Sequence, residues 1–260
     1  WHSTFRSSSI FGYERIPNSA PEVNSYGMIG KEYPMHKTKG VFRILVLGDS
    51  ITQFDFYVKI LENALNNANL GYAFELWNAG VTGYEVNQYA NYLKFKGIHY
   101  NPDMILIGFC LNDFNIFGTL ITYKDAKGFR GYYYSGNEFS RRIPINSALF
   151  TCSYLYRFII LSVDRVFAKF NTNYYINEHI KTGITFLREI KNIAFSRKIK
   201  LLAVVFPYLK PIYEYRDYEK EEYGNMIRVL KDLDIDYIDL HKAFSDGGEI
   251  KSLRIVDTDY

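Results

Sequence analysis

Short apolar runs alternate with amphipathic segments along most of this chain. Residues 44–47 form an unbroken apolar run rich in branched side chains, as expected for a strand buried on both faces of a parallel sheet. The next segment places Val58, Leu61 and Leu65 at helical spacing. Further strands are predicted at residues 74–79, 104–110, 199–206 and 235–240. The alternation predicts an α/β fold, a doubly wound, flavodoxin-like sheet of five parallel strands flanked by helices.

Two segments depart from this alternation. Residues 1–40 are polar and interrupted by prolines, which predicts an irregular N-terminal arm before an α/β domain at residues 41–260. Residues 114–175 are longer than a simple connection needs, which predicts an insertion or lid. Its first half is loop-like, and residues 147–170 predict one basic amphipathic helix that packs on the domain, acts as a lid or lies on a membrane.

Composition narrows the function classes. The net charge of the 260-residue chain is +3, which is too small to indicate nucleic acid as a partner. Neither Cys110 nor Cys152 carries a disulfide or metal signature, and no pair of histidines has zinc-ligand spacing. We therefore expect no metal and no cofactor. No apolar run is long enough to span a bilayer, although a signal or anchor segment can have preceded Trp1.

Polar groups follow the first three predicted strands. Ser50 lies on a tight turn after the first strand, Gly80 to Gly83 follow the second, and Asn112 and Asp113 follow the third. The carboxyl ends of parallel strands share one edge, which is where ligands bind in such sheets. A hydroxyl, a glycine turn with free N–H groups and a side-chain amide are the parts of a serine acyl-transfer site. Gly-Asp-Ser alone is also ordinary turn chemistry, so the prediction depends on all three stretches.

These stretches resemble the first three sequence blocks of the SGNH, or GDSL-type, esterase and lipase superfamily. The resemblance runs from about Arg43 to the end of the chain, with the blocks in the family's order and spacing. Asn24-Ser25-Tyr26-Gly27, leading into the first strand, is similar to bacterial extracytoplasmic members, so an extracytoplasmic or membrane-anchored location is expected. The blocks are Gly48-Asp49-Ser50, Asn-x-Gly-x-x-Gly at 78–83 and Leu111-Asn112-Asp113.

The resemblance implies a role for each matching residue. Ser50 would be the nucleophile, and the oxyanion hole would combine the N–H groups of Ser50 and Gly83 with the Asn112 side chain. Asp49 and Asp113 would brace these loops. One position departs from the family pattern, because Cys110 stands where the third block usually has glycine.

The catalytic base is the remaining part of the pattern. The family's fourth block is Asp-x-x-His, and the chain reaches Asp257 and Asp259 before it ends at Tyr260. We expect the histidine shortly after Tyr260, ahead of a helix that covers the sheet, with Asp259 as the triad acid and Asp257 as the alternative. His241 follows the fifth strand and is the other candidate base.

The leading interpretation is a serine ester hydrolase that removes an acyl group, such as acetyl, from a small-molecule or carbohydrate ester. Two alternatives stay open: a polysaccharide O-acetyltransferase on the same fold, and a non-catalytic binding module that has lost the triad. Membrane association through an upstream segment or the helix at 147–170 is a further expectation. The insertion is expected to pack over the edge that carries Ser50.

Overall fold

The computed structural model describes residues 4–110, 113, 119–124, 130–135, 146–170, 172–208 and 210–246. Strands and helices alternate along most of this chain. The strands are β1 (Phe5–Ser8), β2 (Gly12–Arg15), β3 (Val41–Gly48), β4 (Ala73–Asn78), β5 (Met104–Cys110), β6 (Thr119–Lys124), β7 (Arg130–Ser135), β8 (Lys200–Phe206) and β9 (Asp236–Asp239). The helices are α1 (Ser50–Gln53), α2 (Phe56–Asn67), α3 (Val86–Phe95), α4 (Ser147–Cys152), α5 (Tyr154–Phe170), α6 (Thr172–Ser196), α7 (Asp217–Asp232) and α8 (Leu240–Asp246), with 3₁₀ turns at Gly97–Tyr100 and Ile212–Glu214.

Five parallel strands form the main sheet, in the order β4-β3-β5-β8-β9. This is the doubly wound order in which the chain starts inside the sheet and adds strands first on one side and then on the other. The predicted fold class is therefore confirmed. β3 pairs with β4 and with β5, and its residues Leu45, Val46 and Leu47 are at most 1% exposed. Burial on both faces explains why this strand is a continuous apolar run.

The N-terminal arm is more regular than the sequence predicts. β1 and β2 form an antiparallel hairpin, and β6 and β7 form a second hairpin within the insertion. A parallel pairing of Arg6 with Lys124 joins them into a four-stranded sheet of order β2-β1-β6-β7. The prediction of an irregular arm was wrong for residues 5–15, and the loop-like first half of the insertion contains strands. Four-residue strands and glycine-rich flanks give too short a pattern to recognise.

The region 147–170 is divided into two helices rather than the predicted one. Ser153 adopts an extended conformation between α4 and α5. Its hydroxyl accepts a hydrogen bond from the Tyr156 N–H at 3.2 Å, which satisfies a donor in the first turn of α5. A serine that competes with the helix in this way breaks the helix without changing its apolar pattern. No helix of the described part of the chain has the length and apolar character to cross a bilayer.

The later part of the arm is fixed at the amino edge of the main sheet by a buried arginine. Arg43, fully buried in β3, donates through Nε to Glu75 Oε2 at 2.8 Å. It also donates to the backbone oxygens of Tyr100 at 2.7 Å and Pro34 at 2.9 Å. Its guanidinium lies 4.5 Å from the ring centroid of Trp77. One side chain therefore ties the arm, β3 and β4 together at the edge away from Ser50.

Candidate active site

The turn that carries Ser50 is built by the residue before it. β3 ends at Gly48, and Asp49 is the N-cap of the four-residue helix α1, of which Ser50 is the first residue. Asp49 Oδ1 accepts a hydrogen bond from the Ile51 N–H at 2.9 Å. The Ser50 hydroxyl lies 3.4 Å from Asp49 Oδ2, and Ser50 is half-buried. A buried aspartate thus fixes the start of the helix, and a serine hydroxyl is held at the carboxyl end of a central strand.

Glycines let α1 approach the strand ends. A Cβ atom on Gly48 would lie 1.9 Å from Thr52 Oγ1, and one on Gly108 would lie 2.6 Å from the same oxygen. A Cβ atom on Gly80 would lie 2.6 Å from the Gln53 N–H nitrogen. These separations are far below van der Waals contact, so only glycine fits at the three positions. The glycines belong to β3, to the loop after β4 and to β5, and they bring these three strand ends together around Thr52.

Asn78 connects the glycine loop, residues 80–83, to α1. Its amide nitrogen donates to Thr52 O at 2.8 Å, and its amide oxygen accepts from the Gly80 N–H at 2.9 Å. Gly83 closes the loop with a φ of +74°, a conformation that glycine adopts without strain. Among the described residues, neither the Ser50 N–H nor the Gly83 N–H donates a hydrogen bond. Both groups therefore remain available to an anion.

Three buried titratable groups lie beneath this turn. The Cys110 thiol donates to Asp49 Oδ1 at 3.2 Å, and the Cys110 N–H donates to Asp113 Oδ2 at 3.0 Å. Burial raises the pKa of the Asp113 carboxyl well above its usual range, and the negative charge of Asp49 raises it further. Burial also raises the pKa of the Cys110 thiol. A glycine, which the resembled family has at position 110, could not supply the thiol contact to Asp49.

The same three side chains have the composition of a small cation site. The ligand atoms of Asp49, Cys110 and Asp113 lie within 4.8 Å of one another. The raised pKa of the thiol and of the Asp113 carboxyl favours their protonated forms, and the thiol hydrogen is directed at Asp49. These groups form hydrogen bonds within the described structure: the thiol and the Ile51 N–H donate to Asp49, and the Cys110 N–H donates to Asp113. The bracing role that the resemblance implies for Asp49 and Asp113 stays a prediction.

The other predicted site residues divide into two groups. Asn112, Asp257 and Asp259 lie outside the described residues, so their roles stay predictions. His241 is the second residue of α8 at the carboxyl edge, but β9 is three strands away from β3. At the usual strand spacing, the axes of β3 and β9 are roughly 14 Å apart. The His241 ring packs against the rings of Tyr215 and Tyr223, each with centroids 5.7 Å away.

Several residues of this region escape the sequence reasoning. Thr52 is fully buried, and its hydroxyl lies 2.8 Å from the Tyr57 hydroxyl. It is surrounded by Gly48, Gly80 and Gly108, which together form what we call the glycine frame. Gln53 accepts the Thr82 N–H at 2.8 Å and so connects α1 to the glycine loop. Gly108 offered a signal, because an isolated glycine inside an apolar strand indicates close approach of another segment. Arg15, in the arm, offered none.

Comparisons with known proteins give distant structural relatives. No protein-family model and no curated protein matches the chain. AlinE4, an SGNH-hydrolase family esterase, is 16% identical with a TM-score of 0.47, covering 86% of this chain and 88% of that one. The acetyl xylan esterase AlAXEase is 14% identical with a TM-score of 0.46, covering 78% and 79%. A GDSL-like lipase from Bacteroides thetaiotaomicron is 14% identical with a TM-score of 0.37, covering 77% and 69%.

Two of these proteins, AlinE4 and the GDSL-like lipase, carry names of the superfamily that the sequence motifs resemble. Their identities and TM-scores are too low to transfer an activity or a substrate to this chain. The functional conclusion therefore depends on the residues around Ser50.

Proposed function

We propose that the protein is a serine ester hydrolase that removes an acyl group, such as acetyl, from a small-molecule or carbohydrate ester. The observation that carries the proposal is the position of Ser50. Its hydroxyl lies on a tight turn at the carboxyl edge of the sheet, and the N–H groups of Ser50 and Gly83 have no acceptor within the described residues. A hydroxyl beside free N–H groups is the arrangement that acyl transfer requires.

The reaction follows from these groups. Ser50 Oγ attacks the ester carbonyl carbon as its proton passes to a general base. The carbonyl oxygen becomes an oxyanion and accepts hydrogen bonds from the Ser50 and Gly83 N–H groups and from the Asn112 amide. Collapse of this intermediate breaks the bond to the alcohol, which leaves with the proton from the base. Water then attacks the acyl-serine, the carboxylic acid is released, and Ser50 recovers its proton.

The general base in this proposal is a histidine held by a carboxylate. His99 lies in the turn before β5, at the amino edge of the sheet, and His241 lies three strands from β3 among tyrosine rings. The resemblance instead assigns the base to the block that follows β9, where Asp257 and Asp259 occur. We propose Asp259 as the carboxylate that holds the base.

The surface beside Ser50 suits an acyl group. Ile51, which follows Ser50 in α1, and Phe54, the C-cap of the same helix, are 41% and 64% exposed. Exposed apolar side chains next to a nucleophile offer a contact for an uncharged acyl chain and none for a charged one.

Turnover of p-nitrophenyl acetate by the native protein and by Ser50→Ala tests the proposal. We expect the Ser50→Ala rate to fall to the background, because the nucleophile is lost. Ser196→Ala, on the exposed end of α6, is the matched control and should keep the full rate. Acyl transfer to an added sugar in preference to water would favour an O-acetyltransferase. Binding of an ester without any Ser50-dependent turnover would favour a binding module.

The Asn112 amide is tested separately. If it binds the oxyanion, Asn112→Ala should lower kcat by about 10²–10³ with little change in KM, because the contact is made only as charge develops. Steady-state kinetics on p-nitrophenyl acetate measure both constants. An unchanged kcat would remove Asn112 from the oxyanion hole and leave the two backbone donors.

A further inference from the structure

The N-terminal hairpin holds the glycine loop at two points. The Tyr13 hydroxyl donates to the backbone oxygen of Thr82 at 2.6 Å. Arg15 Nη2 donates to the Gly80 oxygen at 2.9 Å and to Gln53 Oε1 at 2.8 Å. Tyr13 and Arg15 are both buried, at 0% and 6% exposed. The loop is therefore fixed between β2 and the helix that begins with Ser50.

The contact from Tyr13 acts on the peptide unit that carries the Gly83 N–H. The Thr82 carbonyl and the Gly83 N–H belong to one planar trans peptide, so they point in opposite directions. A hydrogen bond that fixes the carbonyl consequently fixes the direction of the N–H. Without it, glycine at position 83 gives the peptide freedom to rotate, because both signs of φ are accessible. The bond to the carbonyl also polarises the peptide and makes its N–H a stronger donor.

Arg15 adds a buried positive charge next to the same loop. Burial lowers its pKa to about 10, so the guanidinium stays charged at neutral pH. The Gly80 carbonyl and the Gln53 amide accept its hydrogens, and the Phe5 ring centroid lies 5.2 Å away. Gln53 Oε1 in turn accepts a hydrogen bond from the Thr82 N–H. The cation therefore holds the loop directly at Gly80 and, through Gln53, at Thr82.

We infer that Tyr13 and Arg15 are positioning residues: they orient the Thr82–Gly83 peptide so that its N–H donates to the reacting carbonyl oxygen. The inference rests on the proposed function, and it gives the N-terminal hairpin a positioning role in the reaction.

Tyr13→Phe removes one hydroxyl and keeps the ring. We expect kcat for p-nitrophenyl acetate to fall about tenfold or more with KM unchanged, because only the transition state uses the Gly83 donor. The matched control is Tyr84→Phe. It removes the hydrogen bond that the Tyr84 hydroxyl donates to the backbone oxygen of Tyr13 at 2.7 Å, in the same interface. The control should keep kcat. Equal losses of kcat in both variants would overturn the inference, since hairpin anchoring in general would then explain them.

Arg15 is tested by a pair of variants. Arg15→Met removes the charge and the donors and should lower kcat, whereas Arg15→Lys keeps the charge and should recover part of the loss. Thermal unfolding of each variant shows whether the protein remains folded at the assay temperature. A folded Arg15→Met protein with the wild-type kcat would contradict the role of Arg15.

The amide resonance of Gly83 gives a readout that does not need activity. In Tyr13→Phe it should shift because its peptide loses a carbonyl partner, and the shift should exceed that in Tyr84→Phe, where the adjacent side chain changes but the Thr82 carbonyl keeps its donor. An unshifted Gly83 resonance in Tyr13→Phe would overturn the inference even if catalysis were absent. If Ser50→Ala turned over the ester as fast as the wild type, the proposed function would be overturned instead. If turnover depended on Ser50 but Tyr13→Phe kept the wild-type kcat, only this inference would be overturned.

Discussion

At the scale of single residues, the site is held by buried polar groups whose partners are distant in sequence. Cys110 meets Asp49 across 61 positions of the chain, and Arg15 meets Gly80 across 65. The motif residues Asp49 and Ser50 could be predicted, because strand, turn and helix follow one another locally. Arg15 could not, since a charged residue in a short polar strand gives no sign that it is buried. Its role follows only from the fold.

Asp113 gives the protein a pH-dependent stability. Its pKa is raised in the folded state, so folding favours the protonated carboxyl and this contribution is complete below the ordinary carboxyl pKa near 4. It is lost as the pH rises from there through the folded-state pKa. Asp113→Asn keeps the size of the side chain and does not ionise. The unfolding free energy of this variant, relative to that of the wild type, should therefore increase as the pH rises. Urea unfolding of both proteins between pH 4 and 8 measures the difference, and a constant difference would contradict this account.

At the scale of elements, the central strands β3 and β5 could be predicted because burial on both faces makes them continuous apolar runs. The hairpins could not, since four to six residues among glycines and serines carry no clear period. The division of α4 from α5 depends on one serine hydroxyl, which the apolar pattern does not report. The glycine frame could be predicted only in part. Gly48 and Gly80 belong to recognisable motif blocks, whereas Gly108 lies outside them.

The glycine frame can be tested by adding a methyl group. Gly48→Ala places Cβ 1.9 Å from Thr52 Oγ1, so α1 must move and both stability and Ser50-dependent turnover should fall. The expected loss of unfolding free energy is about 2 kcal/mol or more. Gly224→Ala is the control, because Gly224 lies in α7 with nothing within 4 Å of its Cβ position. Alanine should raise stability there by about 0.5–1 kcal/mol. Urea unfolding measures both, and a Gly48→Ala protein as stable as the wild type would contradict the frame.

At the scale of the whole molecule, the arm contacts both edges of the main sheet. Its hairpin contacts the glycine loop at the carboxyl edge, and its later part is held by Arg43 at the amino edge. The sequence indicates a separate arm, since prolines interrupt residues 1–40. It does not show that the arm is part of the core, because the contacts that fix it come from Tyr13, Arg15 and Arg43.

Removing the arginine at the amino edge should loosen the whole arm. Arg43→Met leaves Glu75 buried without its charged partner, and the loss of unfolding free energy should be about 3–5 kcal/mol. Arg6→Met, which removes an exposed ion pair with Glu14, should cost less than about 1 kcal/mol. Denaturant unfolding compares the two variants. Equal effects would show that the buried network does not hold the arm.

The central claim is that Ser50 is an activated nucleophile. The most direct measurement is to treat the native protein with a fluorophosphonate, which forms a covalent bond with activated serines, and to locate the adduct by peptide mass spectrometry. We expect one adduct, on Ser50, which forms more slowly in Tyr13→Phe and is absent in Ser50→Ala. Labelling that persists unchanged in Ser50→Ala, or no labelling of the native protein at all, would contradict it.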